Sequence, residues 1–200
     1  MVYATDGFHI YQSSDFGTTW NLLATFFNLT TTQILSYDQF PSVSSITVDP
    51  QNSRTLYAPS SDGWCLTVVT LSQCGGMFKS TDGGKTWQDL GVTGSYSNMT
   101  IDSRTGTFYA GGALQPFFGY VIKSVDGWKT WTPINTGLTT ASVEVFTDPG
   151  NSSNLFAFGQ SSSGQTPYGL FRSTNGGGNW TFMQIVPVGG QLLSIGIPAK

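Results

Sequence analysis

Charge is scarce in this chain, and so are the residues that most often do chemistry. Of 200 residues, 8 are Lys or Arg and 11 are Asp or Glu, a formal net charge of −3. No five basic residues cluster, so the sequence offers no surface for a phosphate backbone and speaks against nucleic acid as a partner. No apolar run reaches the roughly 18 residues that a membrane-spanning helix needs. There is one histidine, His9, and one glutamate, Glu144. The two cysteines, Cys65 and Cys74, have no histidine close by in sequence, so no metal-ligand set is visible. No Ser-His-Asp or Cys-His arrangement stands out, and no cofactor is implied. No window holds a 3.6-residue apolar period, so little or no helix is expected.

Serine, threonine, glycine and aromatic residues take the place of charge. Phe, Trp and Tyr make up 14% of the chain, which marks a packed protein rather than a disordered polar tract. The length suits one domain with a core of its own. One phrase occurs four times: Ser13-Ser14-Asp15-Phe16-Gly17-Thr18-Thr19-Trp20, Ser80 to Trp87, Ser124 to Trp131, and Ser173 to Trp180. Its shared form is S-x-D-x-G-x-T-W. Short alternating segments precede each copy (His9-Ile10-Tyr11-Gln12, Met77-Phe78-Lys79, Val121-Ile122-Lys123, Leu170-Phe171-Arg172), and others follow it. With glycine supplying the positive φ of a tight turn, each phrase reads as a β-hairpin connection.

A second phrase recurs upstream. Ile46-Thr47-Val48-Asp49-Pro50 leads to Thr55-Leu56-Tyr57-Ala58, Met99-Thr100-Ile101-Asp102 to Thr107-Phe108-Tyr109-Ala110, and Val145-Phe146-Thr147-Asp148-Pro149 to Asn154-Leu155-Phe156-Ala157. These are two more strands and their turn. Each unit is then four antiparallel strands, A to D, and such units at this spacing predict a β-propeller.

The phrase resembles the Asp-box, or BNR repeat, of sialidases, sortilin-type receptors, xyloglucanases and a photosystem II assembly factor, and the resemblance covers nearly the whole chain. It implies a box between strands C and D. Two copies depart from the pattern: Trp128 stands for the second glycine, and Asn175 and Asn179 stand for Asp and Thr. Both turns are expected to survive, because Asn still accepts a hydrogen bond. Asp15, Asp82, Asp126 and Asn175 are expected to bond their own turns, and Trp20, Trp87, Trp131 and Trp180 to pack on neighbouring sheets.

The blades are expected at 2–27, 43–92, 96–137 and 142–187. The first lacks a strand A, and the alternating segment 191–198 would supply it and close a four-bladed ring. The rival is a part of a larger propeller. Cys65 and Cys74 either close a disulfide in a Gly- and Ser-rich loop, worth roughly 2–3 kcal/mol, or remain free thiols. A disulfide implies an oxidising compartment, hence a secreted or extracytoplasmic protein.

The B–C and D–A loops hold aromatics that no repeat rule requires. Trp64, Tyr37, Phe117, Phe118, Tyr96 and Tyr168, with Asp62, form the candidate binding face, since function tends to lie in irregular loops on a rigid frame. Glu144, on the innermost strand, matches Ser45 and Asn98 in the other units and is the one acid placed near an axis. A sialidase site, as the resemblance would have it, needs three converging arginines. Arg54 and Arg104 fall in A–B turns and Arg172 in a strand C, so that activity is not expected. The sequence therefore points to a non-catalytic module that binds a protein partner or a glycan, or serves as a subunit of a homo-oligomer or larger assembly. The alternative is a piece of a polysaccharide-acting glycoside hydrolase whose remaining acids lie elsewhere.

Overall fold

The computed structural model describes residues 1–25, 42–61, 76–92, 94–114, 118–140, 142–160 and 169–183. These residues form sixteen strands and no helix, grouped in four antiparallel sheets. The chain divides into two compact units, Met1–Tyr96 and Ser97–Lys200.

In the first unit, β1 (Val2–Thr5), β2 (His9–Ser13) and β3 (Asn21–Thr25) make a three-stranded meander. The segment 191–198, expected to complete it, lies outside the described residues. The second sheet has its strand A in two pieces, β4 (Ser42–Val43) and β5 (Thr47–Asp49), both paired to β6 (Asn52–Ser61). β7 (Met77–Ser80) and β8 (Gln88–Asp89) continue it. The break falls opposite Pro59, which has no N–H to give to a ladder, although its carbonyl still accepts from the Ser44 N–H at 2.9 Å. The Val43 N–H donates to Gly7 O at 2.8 Å and ties the second sheet to the first.

The second unit holds the two complete sheets. β9 (Ser95–Asp102), β10 (Thr107–Leu114), β11 (Phe118–Ser124) and β12 (Thr132–Pro133) make one, and β13 (Ser142–Thr147), β14 (Leu155–Gln160), β15 (Gly169–Ser173) and β16 (Thr181–Met183) the other. Alternation along β13 buries Val143 and Val145, which join Tyr109, Val121, Leu155, Ala157, Phe171 and Trp180 in one core, with Ile134 and Leu138 packed against it. Burial of each such side chain stabilises by roughly 1.5–3 kcal/mol.

β13 lies against β10 and β11 of the preceding sheet. Gly111 permits this approach: a Cβ there would stand 2.6 Å from Val143 O. A row of polar contacts joins the two inner strands. Asn98 Nδ2 donates to Val145 O (2.8 Å) and the Val145 N–H donates to Asn98 Oδ1 (2.9 Å). Ser97 meets Ser142 and Thr100 meets Thr147, each at 3.3 Å between hydroxyl oxygens.

Candidate functional site

The four box turns share one geometry. The buried serine hydroxyls of Ser13, Ser80 and Ser124 accept the N–H of Gly17, Gly84 and Trp128 at 2.8, 2.8 and 3.1 Å. They donate in turn to Oδ1 of Asp15, Asp82 and Asp126. Each Oδ1 also accepts the N–H of Thr19, Thr86 or Thr130, and each Oδ2 accepts that threonine's hydroxyl at 2.6 Å. In the fourth copy Gly177 N–H donates to Ser173 Oγ (2.9 Å) and Asn179 N–H to Asn175 Oδ1 (2.9 Å), so the turn survives both substitutions. The box turn lies at the same end of the sheet as the A–B turn, since Gly83 N–H donates to Arg54 O and Gly176 N–H to Ser153 O.

Two non-glycine residues hold positive φ inside these turns, Phe16 (58°) and Trp128 (81°). Such backbone costs on the order of 1–3 kcal/mol. For Trp128 the cost is offset by burial: only 8% of it is exposed, and its ring lies 4.6 Å from Phe108 and 4.9 Å from Trp131 between centroids. Phe16 has no such seat and is 92% exposed.

The box tryptophans are less uniform than the repeat suggests. Trp180 is buried, and its indole N–H donates to Ile134 O, just beyond β12 of the neighbouring sheet, at 2.6 Å. Trp87 and Trp131 are half-buried, and Trp20 is 43% exposed. The common packing role is therefore corrected: of the four box indoles Trp180 alone is buried, where the neighbouring sheet offers it both apolar contact and an acceptor.

Hydrogen bonds from Thr19 first, then from Ser13, hold the Asp15 carboxyl at about 2 against an ordinary 3.8, and those from Thr130 and Ser124 hold Asp126 at about 2. The folded chain thus favours the ionised forms. Their contribution is complete above about pH 4 and disappears as the pH falls through about 2. Burial, with the Asp102 charge adding to it, pushes the Tyr109 phenol from 10.0 up to about 12. That contribution is complete below pH 10 and is lost as the pH rises through about 12. A urea midpoint plotted against pH should fall on the acid side of about pH 4 and on the alkaline side of about pH 10. An acid limb identical in wild type and Asp126→Asn would contradict the assignment.

Of the candidate binding residues, Tyr37, Asp62, Trp64, Phe117 and Tyr168 lie outside the described residues, as do Cys65 and Cys74 and so the disulfide. Phe118 begins β11. Tyr96, expected at the ligand face, is fully buried in β9 and presents no surface to a ligand. An aromatic beside a loop junction reads alike in sequence whether it turns inward or outward. Glu144 sits half-buried in β13 opposite Phe158, and burial raises its carboxyl above the usual range. It holds the rung that Asn98 holds in the preceding sheet.

Sequence reasoning passed over a cluster in the β1–β2 turn. Asp6 accepts the N–H groups of Phe8 (2.9 Å) and His9 (2.8 Å), lies 2.9 Å from His9 Nδ1, and accepts the Tyr11 hydroxyl at 3.1 Å. These bonds, His9's first, hold the Asp6 carboxyl well below the usual range, and the bond to Asp6 raises the Tyr11 phenol. The signal was there in Asp6-Gly7, a turn pair two residues before the lone histidine.

Two open grooves are lined entirely by described residues. One, of about 460 Å³ in the first unit, is bounded by Ala24, Thr25, Phe78, Lys85, Trp87 and Asp89. The other, of about 450 Å³ in the second unit, is bounded by Arg172, Thr174, Asn175, Asn179, Thr181 and Met183.

Every described aspartate serves its own turn. Besides Asp6 and the boxes, Asp49 accepts from Gln51 N–H, Asp89 from Gly91, Asp102 from Arg104 and Thr105, and Asp148 from Gly150 and Asn154. Glu144 alone among the described acids is not committed in this way. No group of three His, Cys, Asp or Glu residues able to hold a metal ion occurs among the described residues.

These sheets are β-propeller blades, and solved structures share the arrangement. The chain is similar to an ancestral GH74 enzyme (21% identity over 90% of this chain and 22% of that one, TM-score 0.60). It is similar also to the GH74 xyloglucanase from Xanthomonas campestris (17% identity, 91% and 27%, TM-score 0.61). A protein of unknown function from Dyadobacter fermentans matches at 16% identity over 90% of this chain and 58% of that one, with a TM-score of 0.57. The chain spans about a quarter of the GH74 structures and less than two thirds of the third. At these identities the likeness is one of fold. No family model and no curated protein matches the sequence.

Proposed function

We propose that this chain is a non-catalytic, extracytoplasmic propeller segment that binds glycan. The observation that carries the proposal is the commitment of every described aspartate to its own turn. Hydrolysis of a glycosidic bond by the usual route needs two carboxyl groups facing each other about 5–10 Å apart. Glu144 is the one described acid outside this pattern, and no second uncommitted carboxyl stands among the described residues. Polysaccharide as the ligand class is supported by the two GH74 structures that share the fold. It is supported too by the Trp87–Phe78 groove, where aromatic faces stand beside Lys85 and Asp89 in the manner of a sugar platform. On this reading the loop-face residues Trp64, Tyr37, Phe117, Phe118 and Tyr168, with Asp62, provide further contacts.

The second reading, a piece of a glycoside hydrolase, is favoured by the small share of the GH74 chains that this one spans. Calorimetric titration with soluble xyloglucan and other neutral polysaccharides, run beside a reducing-end assay, separates the two. Binding with no release of reducing ends is expected. Hydrolysis that Glu144→Gln abolishes would establish the second reading, and absence of binding to any polysaccharide would end the first.

A further inference from the structure

We infer that the edge of the fourth sheet, at its box turn, is a binding site for the carboxylate of an acidic sugar, a uronic acid residue within a glycan. The sugar in this proposal rests on the glycan reading above; the carboxylate rests on the geometry of the groove alone.

The other three box turns each place an aspartate at the turn, held ionised by its own hydrogen bonds. An anionic ligand approaching them meets like charge. In the fourth turn that position is Asn175. Its Oδ1 keeps the structural duty, accepting from Ser173 Oγ at 2.9 Å and from Asn179 N–H at 2.9 Å. Its Nδ2 brings two amide protons and no charge. Asn179 replaces the threonine that elsewhere bonds the aspartate, and adds a second carboxamide to the groove. No lining residue of this groove is acidic.

Arg172 supplies the cation. At the matching strand position the other sheets carry Gln12, Lys79 and Lys123. Lys79 sits over the Tyr57 ring and Lys123 over the Tyr109 ring, 5.7 and 5.6 Å from the centroids. Arg172 is exposed on β15. Its one hydrogen bond among the described residues is a long one, from Nη2 to Asn154 Oδ1 at 3.4 Å. The nearest acid along that route is Asp148, whose two oxygens already accept from Gly150 N–H and Asn154 Nδ2. On the far side of the turn Lys123 Nζ stands 3.4 Å from Gly176 O and adds positive potential.

A guanidinium fork takes a carboxylate with two parallel hydrogen bonds, which a lysine does not do. The hydroxyls of Thr174 and Thr181 are placed for ring hydroxyls. Met183, 38% exposed, offers apolar surface to a pyranose face. Cation, uncharged donors and apolar floor together describe a uronate subsite.

The test uses trigalacturonate, a neutral galactose trisaccharide and a short polyglutamate peptide, each followed by amide NMR shifts and calorimetry on the whole chain. Trigalacturonate is expected to bind, to shift residues 172–183, and to weaken as salt is added. Arg172→Gln is expected to weaken it by about tenfold or more, with Arg172→Lys between the two. Asn175→Asp is the sharper variant: it restores the residue three other turns carry, so the fold holds, while a negative charge enters the groove, and affinity should fall by about tenfold. Equal binding of the acidic and neutral trisaccharides, or unchanged affinity in Arg172→Gln and Asn175→Asp with melting temperatures intact, would overturn the site and leave the glycan reading standing. Binding of polyglutamate without trigalacturonate would assign the groove to an acidic peptide and overturn the proposal. Failure of every glycan, neutral and acidic, would remove both.

Discussion

Trp180→Ala is expected to destabilise the second unit by about 3–5 kcal/mol, the range for removing a buried aromatic from a packed core. Trp180 is 5% exposed and packs with Tyr109, Val121, Val143, Val145, Leu155, Ala157 and Phe171. Truncation opens a cavity among these side chains and leaves Ile134 O without the indole donor that reaches it from 46 residues away. Trp20→Ala changes the same letter of the same phrase at a position 43% exposed, and should shift stability by less than about 1 kcal/mol. Urea unfolding followed by far-ultraviolet circular dichroism measures both. Equal losses in the two variants would show that the repeat, and not the local seat, sets the contribution of the tryptophan.

Asn98→Ala is expected to cost about 2–4 kcal/mol, although the side chain is only half-buried. Its carboxamide satisfies both backbone groups of Val145 on the next sheet's inner strand. Deletion leaves a donor and an acceptor at that junction without partners, at roughly 1–3 kcal/mol each. Asn98→Asp should recover part of the loss, because a carboxylate still accepts the Val145 N–H but has no proton for Val145 O. A loss below about 0.5 kcal/mol in the alanine variant would mean that apolar packing alone joins the two sheets. Hydrogen exchange at the Val145 amide reads the junction directly.

The repeat made the strands legible because it is written in local chemistry. A serine, an acceptor two residues on and a residue able to adopt positive φ close a turn with atoms no more than a few positions apart, so their order is enough to announce it. The same logic located the A–B turns at Asp49, Asp102 and Asp148. It failed where the outcome depends on residues far off in sequence. Tyr96 was read as a ligand contact and is fully buried; Trp20 was read as a packed indole and is 43% exposed. Asn98 was read only as a counterpart of Glu144, because nothing near it in the chain announces a partner 47 residues away. The Asn175 and Asn179 substitutions were visible as departures, yet their meaning came from Arg172 lying beside them in one groove.

The amino-acid order alone determined that this chain forms antiparallel four-stranded units joined by carboxylate-locked turns, since those turns close within eight residues and need nothing from elsewhere. Only the tertiary structure decided which tryptophan is buried, which glycine admits a neighbouring strand and which edge carries an uncompensated cation. Those properties belong to contacts between sheets and between strands of a sheet, where solvent exclusion and charge are set by what arrives from a distant part of the chain.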